Sequence, residues 1–120
     1  MTWIAAAAVV GVALIHVWIL ILEMFLWQKP GTLEAFGTTA EFARDSVKLA
    51  ANQGLYNGFL AAGLIWALAA YGVTGGRPIV GFFLGCVIVA GVFGAATVNR
   101  RILIVQALPA AIALALLWLA

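Results

Sequence analysis

An all-α fold, a four-helix transmembrane bundle, is what this sequence predicts, and three observations predict it. Of its 120 residues, 67% are hydrophobic and only 8% are charged, whereas soluble domains are about 45–50% apolar and about 25% charged. The apolar residues fall in four runs separated by turn-forming and charged clusters. Each run has close to the roughly 20 residues that cross hydrocarbon at about 1.5 Å rise per residue. A chain of this length buries only about two-thirds of its surface in a core of its own. The apolar remainder calls for a lipid bilayer as solvent.

The first span covers about residues 3–27, where His16 and Glu23 are the only ionisable side chains. A cleaved signal peptide would show a basic start, a shorter apolar run and a small-residue cleavage site. None of these precedes Pro30, so the helix reads as retained. Lys29-Pro30-Gly31 ends it, and Thr38-x-x-Glu41 reads as a capping box that opens a short cytoplasmic helical loop. That stretch, 38–49, fits either an interfacial helix or an extension of helix two. The second span covers about 50–71 and stops at the Gly75-Gly76-Arg77-Pro78 turn. The third covers about 79–98, and Asn99-Arg100-Arg101 links it to a fourth at about 102–118. Read as one helix, the last two would be about 60 Å long with two arginines in the middle, which no bilayer tolerates. All 120 residues therefore form a single integral membrane domain.

Lys29, Arg44, Lys48, Arg100 and Arg101 lie in the first and third connections, against Arg77 alone in the second. By the positive-inside rule the first and third connections face the cytoplasm and both termini face outward. The five tryptophans mostly sit near span ends as interface anchors, Trp18 being deeper. The net charge of +2 is too small and scattered for a nucleic-acid surface, so no nucleic acid is expected. The single cysteine, Cys86, has no partner for an internal disulfide.

Polar residues of different spans converge on one depth. Glu23 ends span one, Asn52, Gln53, Tyr56 and Asn57 open span two, Thr97 and Asn99 end span three, and Gln106 starts span four. Polar groups in lipid need partners, so these are expected to form one ligand-binding cluster toward the cytoplasmic leaflet. At about 100° per residue, Asn52, Gln53, Tyr56 and Asn57 share an arc of about 140°, opposite the small residues Gly54, Gly58 and Ala61. Gly54-x-x-x-Gly58 and Gly81-x-x-x-Gly85 read first as seams where helices approach closely. Either pair could alternatively form a homodimer seam.

Glu23 either reaches the interface, pairs with Arg100 or Arg101, or serves as a ligand-binding or proton-carrying carboxylate. His16 shares its face to within about 20° but sits about 10.5 Å away along the axis, so the two cannot touch. One elongated ligand could meet both. The bland reading of His16 is a histidine hydrogen-bonded to a neighbouring helix, and one His with one Glu makes no metal site. Pro109 frees the carbonyl of Val105, and Gln106 lies one turn before the proline, close to that defect, as a structural kink or a ligand-facing one. No G-x-G-x-x-G, P-loop, H-E-x-x-H, C-x-x-C or G-x-S-x-G occurs, so no nucleotide, metal or other cofactor and no catalytic residue is implied.

Four strings carry a resemblance: residues 22–27 (LEMFLW), 50–60 (AANQGLYNGFL), 83–91 (FLGCVIVAG) and 105–109 (VQALP). With them the chain resembles, along essentially its whole length, the bacterial membrane family catalogued as domain of unknown function 1304. The resemblance implies four helices in the bacterial inner membrane and no established activity. Beside it, the residues favour a protein that binds or carries a small polar or amphipathic molecule against Glu23, Asn52, Gln53, Tyr56, Asn57, Gln106 and His16. The alternatives are an accessory membrane subunit, a proton-coupled transporter and a membrane isomerase using Glu23 as acid and base. The one-sided charge and the off-centre Glu23 weigh against alternating access.

Overall fold

The computed structural model describes residues 2–120 and is helical throughout its ordered elements. Helix α1 is Thr2–Met24, α2 Pro30–Phe36, α3 Ala40–Asp45, α4 Val47–Gly75 and α5 Arg77–Thr97, followed by a π-helical segment, Leu103–Ala107, that continues into α6, Leu108–Leu119. Three of these, α1, α4 and α5, are long and apolar enough to cross a membrane, and Leu103–Leu119 is a shorter apolar helix. The molecule measures 46 × 25 × 19 Å, the long axis close to the roughly 40–45 Å of a bilayer with its headgroups.

Several boundaries differ from the sequence expectation. Helix α1 stops at Met24, three residues short of 27, and Phe25 to Lys29 form turns closed by Leu26 N–H to Ile21 O at 3.2 Å and Lys29 N–H to Leu26 O at 3.0 Å. Pro30, read as an end signal, instead starts α2, where its missing N–H costs nothing at the first helical position. Gly37 closes α2 with a left-handed φ of 65°. The cap of α3 is Thr39, not Thr38: its hydroxyl accepts from Phe42 N–H at 3.1 Å, which puts Phe42 where the expected box needed Glu41. Stretch 38–49 is thus both a short helix and the first turn of α4, with Ser46 between them. Gly72, at φ 70° and ψ −176°, interrupts α4 one residue past the expected end at 71.

Around the molecule α1 packs against α4 and α6, and α5 packs against the same two. The twelve buried apolar residues of the core come from all four, among them Val9, Val12, Leu64, Leu84, Val87 and Leu117. Gly54 sits where a Cβ would lie 2.7 Å from Met24 Cγ and 3.2 Å from the Leu20 carbonyl. Such separation is too short for any side chain, so α1 and α4 meet backbone to backbone there. Gly58 is likewise filled, by Leu20, whereas nothing lies within 4 Å of a Cβ at Gly85. Large side chains such as Phe82, Val89 and Phe93 are exposed along α5.

The two ends differ in charge. At one, Arg77 donates to the carbonyls of Leu117 at 3.2 Å and Ala120 at 2.8 Å and lies 5.5 Å from the Trp118 ring centre. The other end, formed by the C-terminus of α1, the N-terminus of α4 and the turn before the π segment, carries Lys29, Arg44, Lys48, Arg100 and Arg101.

Candidate functional site

Both ionisable side chains of α1 are buried, His16 at 0% exposure and Glu23 at 7%. Each meets a polar side chain from a different neighbour. Asn57 of α4 donates its Nδ2 to Glu23 Oε1 at 2.7 Å and to the Gln53 carbonyl at 3.2 Å. An oxygen at that position would face two acceptors, so the amide orientation is fixed. His16 Nδ1 lies 2.8 Å from the Val12 carbonyl. A carbonyl only accepts, so Nδ1 carries the proton of the neutral ring and leaves Nε2 as an acceptor. Gln106 Nε2 approaches it at 3.4 Å, a long contact.

Gln106 owes its place to the π segment. Pro109 has no N–H to give the Val105 carbonyl, and just upstream the Leu108 N–H bonds Leu103 O, five residues back. A π turn inserts one residue into the helical register and recurs at functional sites. The kink foreseen at Pro109 therefore takes the form of a widened turn on its N-terminal side.

Between α1, α4 and the π segment lies a cavity of about 560 Å³. Its polar part consists of Glu23, Gln53, Asn57 and Gln106, and its apolar wall includes Leu14, Trp18 and Leu22 of α1 and Val105. Leu14 and Trp18 line it while remaining 62% and 55% exposed. The cavity thus opens sideways between α1 and the π segment. At the charged end, Phe36 of α2, Asn99 and Arg101 complete it.

Not every expected residue reaches this cavity. His16 stands behind Gln106, in contact with it but outside the lining. Asn52 and Tyr56 are exposed and do not line it. The reason is angular: Asn57 is only about 40° from Ala61 on the helical wheel, so it is carried inward at the edge of the small-residue face that meets α1. Asn52 and Tyr56, farther round, point away. Glu23 pairs with neither Arg100 nor Arg101. Instead Arg101 Nη1 donates to the carbonyls of Glu34 at 3.1 Å and Ala35 at 3.3 Å, which ties α2 across the cavity end.

Helix α2 itself was missed. Its signal was present, since Pro30 and Gly37 bracket it as a first-turn proline and a terminal glycine do. Trp27 acts one step removed from the cavity: it donates Nε1 to Ser46 Oγ at 3.1 Å and packs edge-on against Phe36 at 5.0 Å, holding that ring at the cavity. Among the described residues no three His, Cys, Asp or Glu side chains gather as a metal site.

Residues 6–118 match the family described as a protein of unknown function, DUF1304. The chain belongs to this family. It is 34% identical over 97 residues to the uncharacterized protein YpaA of Lactococcus lactis subsp. lactis (strain IL1403), a match spanning 79% of this chain and 80% of that relative. No solved structure matches. The DUF1304 match runs from α1 to α6 and so contains every side chain of the cavity.

Proposed function

We propose that this DUF1304 protein is a multi-pass protein of the bacterial inner membrane with four spans and both termini outside, and that it binds or carries a small amphipathic molecule. The ligand's apolar part lies along Leu14, Trp18 and Val105, and its polar end meets Glu23, Asn57 and Gln106. The observation that carries this reading is the cavity itself: about 560 Å³, open sideways past the exposed Leu14, Trp18 and Val105, with the buried Glu23 and Asn57 among its polar groups. Ligand pockets are of this size and make-up, with a few convergent polar groups in an apolar wall. Five cations at the cavity end support a cytoplasmic position for it. A homodimer seam on α5 at Gly81 and Gly85 belongs to the same proposal, supported by the open space at Gly85.

Photolabelling of the protein in native vesicles with an alkyl-diazirine amphiphile, followed by peptide mapping, tests it. Labels concentrated in 14–22 and 99–106, and suppressed by unlabelled amphiphile, are the expected result. Labelling spread evenly over the lipid-facing surface of α5 would refute a specific cavity.

A further inference from the structure

Building on the reading of the cavity as a binding site, we propose that its head-group ligand is a cation that donates hydrogen bonds, an amphipathic primary amine seated on Glu23. Two independent features point there. First, the protein buries a carboxylate and supplies no counter-charge to it: Asn57 is its hydrogen-bond partner among the described residues. A buried carboxylate is costly unless paired, and an arriving ammonium provides the missing charge.

Second, the side chains around Glu23 leave uncommitted acceptors at the cavity. Both N–H groups of Asn57 are committed, to Glu23 and to the Gln53 carbonyl, which leaves its Oδ1 free. One N–H of Gln106 goes to His16, and its Oε1 remains. With the second oxygen of Glu23, these put three acceptors from α1, α4 and the π segment around one point, enough for the three N–H groups of a primary ammonium, and Gln53 Oε1 adds a fourth at the rim. Neutral amide donors of Gln53 and Gln106 remain beside them. The cation that lines the cavity, Arg101, is exposed and has Nη1 engaged by the α2 carbonyls. Trp18 and Phe36 add aromatic surfaces to the lining, which attract cations as well as apolar groups.

The experiment uses three probes with one naphthyl-propyl body and an ammonium, a hydroxyl or a carboxylate head, titrated by fluorescence into the protein in nanodiscs of zwitterionic lipid. The ammonium probe is expected to bind at least about tenfold tighter than the other two, as a charge-assisted pair would. Glu23→Gln keeps an acceptor for Asn57, so it should erase that preference, and an unchanged helical circular-dichroism spectrum shows that the variant is folded. Equal binding of all three heads would overturn the amine assignment and leave the cavity reading standing. Tightest binding of the carboxylate probe would overturn it in favour of Arg101. Failure of every probe would overturn the binding reading along with it.

Discussion

Asn57 reaches Glu23 from the neighbouring helix at 2.7 Å, so replacing it strips a buried carboxylate of its hydrogen bond. Asn57→Leu should destabilise the protein by about 1–3 kcal/mol, the usual cost of orphaning a buried polar group, read as a lower melting temperature in mild detergent. Asn52→Leu and Tyr56→Phe, at exposed positions, should stay within about 0.5 kcal/mol of wild type. Equal losses at Asn52 and Asn57 would contradict the rotation of α4 described above. At this scale the sequence was readable where a polar residue stands alone in an apolar run, as His16 and Glu23 do. It was not readable where four polar residues share one arc, because the wheel gives their mutual angles and leaves open which edge turns inward. Close packing by Gly54 and Ala61 decides that, and Asn57 follows them.

Helix α4 lies on α1 through glycine, whereas on α5 Gly85 faces open space and Gly81 borders Leu114 and Trp118 of α6 at about 4 Å. Gly54→Ala would drive a methyl against Met24 and the Leu20 carbonyl and should cost about 1–3 kcal/mol as overpacking. Gly85→Ala meets nothing within 4 Å in its own chain and should leave the melting temperature of the dissociated monomer unchanged. The proposed dimer seam is tested on the same face, where Cys86 lies beside Gly81 and Gly85. Oxidation with copper–phenanthroline should give a Cys86-linked dimer that Gly85→Leu suppresses, and a persistently monomeric band would remove the seam from the proposal. The long elements were legible because apolar length and Gly-Gly-Arg-Pro punctuation dominate them. Short α2 escaped because Pro30 reads as an end signal, whereas it begins a helix held by its Gly37 cap, the Arg101 bonds and the Trp27–Phe36 contact. The π segment follows from Pro109, but the register it sets depends on what α1 offers across the gap, His16.

For the whole molecule, the asymmetry of charge and of polarity agree. Arg77 caps one end, five cations crowd the other, and the polar cavity lies at the crowded end while the apolar core fills the rest. In a Cys86→Ala background, a membrane-impermeant maleimide applied to intact cells should label Thr74→Cys, and should label Gln28→Cys only after permeabilisation. The reverse pattern would invert the proposed topology and move the cavity to the outer leaflet. Composition alone made the membrane reading accessible, since so apolar a chain of this length has no other solvent. The cavity was not accessible that way: it arises from a gap between α1 and the π segment that no run of residues announces. Native mass spectrometry of the protein released from mild detergent, wild type beside a Val105→Trp variant that fills the cavity, tests its use most directly. A small-molecule adduct on the wild type that the filled variant lacks is the expected result, and an adduct retained equally by both would contradict a ligand site in this cavity.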